Sequence, residues 1–329
     1  WLPAAAVLVG LVVGVIFVRR QLRLADPMID LRLFRNTAFN ASLATNLVGI
    51  FIVVGYFLFV AQYLQLVLGL SPLQAGLWSL PSAAGFIVGS NLAPRILRRV
   101  RPAYVIGAGL ALAAIGLAAL TQVGGSHDAD LAILAGASLL VSLGLAPVFT
   151  ATTDLVVSSA PPERAGAASG ISETGAELGG ALGIAILGSI GVAVYRGELA
   201  DALPAGVPGQ AAAVARDTLG GAVGVAAQLP EGLGVALLAA AREAFTQGLQ
   251  LTAALSAAVA VAIAVLATVL LRDVPASSPQ AEPGERPTPL PVAATEPEPQ
   301  PEPAIQVIRV GSGCLACPGE RTPSDVQNA

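Results

Sequence analysis

Lysine is absent from the 329 residues: all 17 basic residues are arginine, so no side chain offers the easily deprotonated amine of a buried catalytic lysine. Histidine occurs once, at His127, in a short turn beside Asp128 and Asp130 where it is expected to be solvated; metal-spaced histidine clusters are therefore excluded. Phosphate-cradling loops and nucleophile elbows are missing as well, so neither an enzyme nor a cofactor is expected. Charge is scarce at 12% of residues, where a soluble domain carries roughly 25%. The arginines are scattered among short loops rather than gathered on one face, which excludes a nucleic-acid partner. The chain opens at Trp1 inside an apolar run, with neither an initiator methionine nor the n-region and cleavage site of a signal peptide, which predicts an amino-terminal truncation.

What is present is hydrocarbon. Hydrophobic residues make up 55% of the chain, and the polar punctuation leaves seven stretches long enough to cross a bilayer as helices. They run over 2–18, 39–68, 72–92, 103–122, 131–157, 164–194 and 248–271. The expected fold is an all-α membrane protein with seven transmembrane helices embedded in the lipid bilayer. Residues 1–38 form a first helix and cytoplasmic linker, 39–271 a six-helix bundle, and 272–329 a disordered cytoplasmic tail. The tail is Pro/Glu-rich, without the apolar periodicity that repays ordering.

Arginine placement orients the helices, because basic residues stay on the cytoplasmic side. Arg19, Arg20, Arg23, Arg32 and Arg35 follow the first span, and Arg95, Arg98, Arg99 and Arg101 follow the third. The intervening "GLS" and "VGGSHDAD" connections lack arginine and belong outside. Residues 196–247 read either as a long external loop with short interfacial helices or as an eighth span. Pro230 and Glu231 interrupt the stretch and favour the loop. In the tail, Cys314 and Cys317 have the spacing of redox and zinc sites, but the two further ligands of a tetrahedral zinc are missing nearby, so the pair reads as inert.

The sharpest signal is "SETGAELGG" in the sixth span. A rise of 1.5 Å per residue places Glu173 about 14 Å and Glu177 about 20 Å from Arg164, within the hydrocarbon. The two acids share a helix face, whereas Gly175, Gly179 and Gly183 lie about 140° away, on a face suited to close packing against a neighbour. An ionised carboxylate at that depth costs at least about 3 kcal/mol, and two acids one turn apart also repel. Either they exchange protons for a cation as access alternates, or they stay protonated and hydrogen-bond a neighbouring helix. Asp154 in the fifth span has two readings, a proton relay or an interfacial residue snorkelling to water. Tyr56, Phe59 and Tyr63, at helical spacing on the second span, and Trp78 on the third either wall a substrate cavity or simply pack.

"PMIDLRLFRNTAF", "YLQLVLGLSPLQAGLWSLPSAAG", "APPERAGAASG" and "SETGAELGGALGIAILGSIG" together resemble the major facilitator superfamily, specifically the quaternary-ammonium and multidrug branch of its fourteen-helix drug/proton antiporters. The resemblance covers residues 1 to about 271. It implies a carboxyl-terminal half only, whose partner is the missing amino-terminal bundle, and an activity that exports amphipathic organic cations in exchange for protons across the plasma membrane. It also implies that Glu173 and Glu177 are the coupling acids, and that "GSNLAPRILRRVRP" is a cytoplasmic gating loop around Gly89, Arg95, Arg98 and Arg99, although the family's aspartate is absent there. An exporter of an endogenous metabolite, or a transport-inactive membrane anchor, fits the same residues.

Overall fold

The computed structural model describes residues 2–24 and 31–275. Cys314, Cys317 and the tail beyond 275 lie outside the described residues. Every regular element described is helical. Ten α-helices follow one another: α1 Leu2–Gln21, α2 Thr37–Gln62, α3 Pro72–Trp78, α4 Leu80–Leu97, α5 Pro102–Ala119, α6 His127–Ser158, α7 Ala165–Asp201, α8 Gly209–Asp217, α9 Leu219–Ala226 and α10 Glu231–Leu271.

Five of the described helical stretches are long and apolar enough to cross a membrane: Thr37–Val67, Pro102–Gln122, His127–Ser158, Pro162–Asp201 and Glu231–Leu271. The other two expected spans correspond to α1 and to the α3–α4 pair. α3 starts as its sequence dictates, with a capping box in which Ser71 and Gln74 satisfy each other's backbone N–H groups and Pro72 fills the first helical position. The helix is then interrupted at Ser79 before α4 begins. The expected long loop over 196–247 is largely helical. α7 runs on to Asp201, the short α8 and α9 follow, and α10 starts at Glu231, directly after Pro230, instead of at 248. Proline here precedes the helix rather than breaking it: Pro230 is the N-cap of α10, with extended ψ, where its missing N–H removes no intrahelical bond. At 41 residues, α10 is about 60 Å long, twice the thickness of a hydrocarbon core.

The helices pack through their smallest residues, which is how helices associate where lipid removes the hydrophobic drive. Gly85 and Gly89 of α4 lie against the backbone of α6 at Leu139 and Leu143, and Gly109 of α5 meets Gly144 of α6. Gly89 therefore belongs to a helix interface within α4, not to a cytoplasmic loop; Arg95 is also in α4, and only Arg98 and Arg99 lie in the turn that follows. Polar side chains join the same helices. Ser82 and Ser142 hydrogen-bond at 2.7 Å, Asn46 of α2 donates to Thr152 of α6 at 3.2 Å, and Tyr56 pairs with Ser138.

α2 ends in a single π-helical turn, Tyr63–Val67. Such a turn displaces backbone carbonyls from the α pattern. Here Arg242 of α10 donates to the Leu66 carbonyl at 3.0 Å, which ties the two helices together. Tyr63, in the same turn, donates to Asp130 at 2.6 Å. The other oxygen of Asp130 accepts the backbone N–H groups of Gly124 and Gly125 at 2.9 and 3.1 Å, in a turn where Gly124 has φ +109°, a conformation that favours glycine. Asp130 is thus buried, unlike His127 and Asp128, which are exposed in the same turn. Asp130→Ala strands three donors, and is expected to lower stability by roughly 2–4 kcal/mol, read as the unfolding midpoint of detergent-solubilised protein. An unchanged midpoint would show that this junction holds nothing.

Candidate functional site

α7 is two-sided. Its inner stripe runs Gly179, Gly183, Leu187, Gly191, Tyr195 and Leu199, all buried. The stripe seats the helix on α2: a side chain on Gly179 would overlap the Leu47 carbonyl, and one on Gly183 the Phe51 carbonyl. Gly175, one turn earlier, faces Leu43. Glu173 and Glu177 project from the opposite side and are exposed, as are Leu178 and Ile184. From the start of α7 at Ala165 the two acids lie about 12 and 18 Å along the axis. Neither forms a hydrogen bond or an ion pair with another described residue. They face away from α2, so the packing among the described helices supplies no partner for them.

That arrangement has a chemical consequence. A carboxylate facing acyl chains at this depth costs at least about 3 kcal/mol if ionised, and the pair lies one turn apart. A surface bearing both is stable when polar matter or water covers it, or when the acids hold protons. Asp154, also exposed, stands one turn before the end of α6 at Ser158.

The four aromatic residues do not share one cavity. Tyr56 and Trp78 border one small cavity of about 40 Å³, together with Ser82, Leu134 and Ser138, beside the interruption between α3 and α4. Tyr63 is not part of its lining, and Phe59 instead borders a second, smaller cavity of about 10 Å³ with Tyr56, Thr252 and Ser256. Phe59 is buried against Gly191 and meets Phe245 of α10 in a tilted contact with ring centroids 5.9 Å apart, and Tyr63 is committed to Asp130. Helical spacing puts three aromatics on one broad face, but neighbours on different helices decide what each touches. The sequence offered no comparable signal for Asp130: an acid in a helix's first turn is ordinarily a solvated complement to the helix dipole, and only tertiary folding brings Tyr63 to it.

Among the described residues, no group of three or more histidine, cysteine, aspartate or glutamate side chains is placed to hold a metal ion.

Residues 1–184 match the family model described as Major Facilitator Superfamily. The chain is 38% identical over 252 residues to the multidrug efflux pump LfrA of Mycolicibacterium smegmatis, covering 77% of this chain and 49% of that one. It is 34% identical to the methyl viologen resistance protein SmvA of Salmonella typhimurium, covering 74% of this chain and 49% of that one. The tetracenomycin C resistance and export protein of Streptomyces glaucescens is also 34% identical, over 65% of this chain and 40% of that one. The chain spans about half the length of the first two relatives. In fold it is similar to an inward-facing, unoccupied bacterial homologue of the human lysosomal transporter Spinster, with a TM-score of 0.57 at 20% identity over 77% of this chain and 52% of that one. These relatives are transport and resistance proteins, not enzymes.

The family match corrects one expectation. It lies over residues 1–184, the amino-terminal part of this chain, so the identification of the chain as a carboxyl-terminal half only does not stand; kinship with the multidrug efflux proteins does. The physical reason lies in the fold. The half was implied by short motifs, and the two halves of major facilitator transporters are parallel repeats, so such motifs by themselves do not say which half a stretch belongs to.

Proposed function

This chain belongs to the Major Facilitator Superfamily, and from that premise we propose that it forms part of a proton-driven exporter of amphipathic organic cations. The observation that carries the reading is the pair Glu173 and Glu177, exposed on the face of α7 that points away from α2. In this reading that face lines a cavity closed by a second helical bundle, and α1 and the α3–α4 pair also cross the membrane, giving seven spans. The arginine-rich loops and the tail lie on the cytoplasmic side of the plasma membrane.

The cycle needs only the two carboxylates. When the cavity opens outward they take up protons, and a bound cation loses its counter-charge and leaves. When it opens inward the protons depart, and the freed carboxylates attract the next cation. A lipophilic cation suits the site because its charge meets the acids while its body meets apolar walls such as Leu178 and Ile184. In this reading Asp154, one turn from the end of α6, relays protons between the cytoplasm and Glu173. Likewise Tyr56 and Trp78 contribute aromatic faces to the cargo path in this reading, at a small cavity whose wall also carries the hydroxyls of Ser82 and Ser138. The activities named for LfrA and SmvA, multidrug efflux and methyl viologen resistance, support a cationic cargo.

Everted vesicles carrying the whole transporter provide the test. Ethidium is expected to collapse an imposed pH gradient in a concentration-dependent manner. A gradient left intact by ethidium, in vesicles whose transporter is inserted and folded, would overturn the reading. The similarity to the tetracenomycin C export protein favours a second cargo class, natural products. If neutral or anionic compounds collapse the gradient where ethidium does not, that class is correct.

A further inference from the structure

At the end of the bundle where α2 begins and α10 stops, the two helices part to leave a groove of about 270 Å³. That volume is roughly the share of nine water molecules in the liquid, but its walls are unequal. One wall is hydrocarbon, from Ile263, Leu266 and Leu270 of α10. Leu266 and Leu270 are 50% and 41% exposed, so this wall opens outward rather than into the core. The facing wall, from α2, carries Thr37, Asn40 and Thr45. Two of these polar groups are already committed: the Thr45 hydroxyl donates to the Ala41 carbonyl at 2.7 Å, and the Asn40 amide donates to the Phe34 carbonyl at 2.6 Å. Their arrangement leaves the groove apolar along its length and polar only toward the helix end.

Charge gathers at that end. Arg35 lies two residues before Thr37, and Arg272 two residues after Leu270. Arg101, at the start of α5, donates to the Arg272 carbonyl at 3.1 Å, which brings a third guanidinium to the same rim. Asp273 forms an exposed pair with Arg272 at 3.5 Å, one acid against the three arginines carried by these segments. A groove with hydrocarbon along its length and a cationic mouth at the helix end is complementary to an amphiphile whose head is negative.

We infer that this groove holds an acyl chain of an anionic phospholipid, with the phosphate at the rim formed by Arg35, Arg101 and Arg272. Basic rims between transmembrane helices attract anionic headgroups through surface potential as well as direct pairing. A zwitterionic lipid would meet the same hydrocarbon wall but gain little from the rim. The inference goes beyond the transport proposal and does not depend on it.

The 329-residue chain, extracted in mild detergent from vesicles of equal parts phosphatidylglycerol and phosphatidylethanolamine, tests it by native mass spectrometry. One phosphatidylglycerol is expected to remain per chain, favoured at least about tenfold over phosphatidylethanolamine. Arg35→Gln with Arg272→Gln should abolish the preference. Ala44→Phe, which fills the groove without altering charge, should reduce retention of both lipids. Equal retention of the two lipids by the native chain would overturn the inference, and that comparison decides even if a variant misfolds. So would variants that retain phosphatidylglycerol as the native chain does.

Discussion

Replacing Glu173 and Glu177 together by glutamine should reduce ethidium-driven proton movement in everted vesicles at least about tenfold, with the protein still inserted in normal amount. Glutamine keeps the size of glutamate and most of its hydrogen-bonding capacity, but it neither binds nor releases a proton near neutral pH. The substitution therefore separates the two readings of these acids. If they serve only as protonated hydrogen-bond donors, the amide fills the role and exchange survives. If they couple transport, nothing remains for the cation to displace. Because the two lie one turn apart on the same face of α7, either single substitution is also expected to impair exchange on its own. Native exchange in the double variant would remove both residues from the mechanism.

The second large effect concerns the opposite face of the same helix. Gly179→Val and Gly183→Val each place a branched side chain where α2 presents a backbone carbonyl, at Leu47 and Phe51. A backbone has no rotamer with which to yield, so the helices must separate. Each change is expected to cost about 3 kcal/mol or more, the upper end of overpacking, and to lower the thermal midpoint in detergent by roughly 6–12 °C. Gly180 is the built-in control. A methyl there would meet Val54 and Ile50 at 3.6 and 3.8 Å, ordinary contact distances. Gly180→Ala should be neutral or slightly stabilising, since alanine is the better helix former by about 1 kcal/mol. If the valine variants melt like the parent, α7 does not rest on α2 through this stripe.

The two faces of α7 were legible in the sequence because a helix imposes a fixed 100° per residue, and acids spaced four apart must share a side whatever surrounds them. Which helix the glycines would meet was not legible. Gly179 names no partner until Leu47 is brought to it through a contact more than a hundred residues distant in the chain. The aromatics teach the same lesson in reverse. Tyr56, Phe59 and Tyr63 look alike along the chain, yet one borders a cavity with Trp78, one fills the gap left by Gly191, and one is tied to a buried aspartate. Segment 196–247, expected as a loop with short interfacial helices, holds the short α8 and α9, but α10 starts at Glu231 rather than 248, because a proline such as Pro230 marks a helix start as readily as a helix end.

Composition and periodicity alone determined that this protein lives in lipid, that it is helical, and that one helix carries two acids opposite a glycine seam. These properties follow from the backbone's need to satisfy its own hydrogen bonds in hydrocarbon and from the geometry of a single helix. Only the tertiary structure decided that the acids point away from the bundle, that Asp130 is buried, and that α2 and α10 leave a groove between them. Those outcomes depend on which surfaces meet, and in a chain so rich in alanine, glycine and leucine many surfaces are nearly equivalent until folding selects among them.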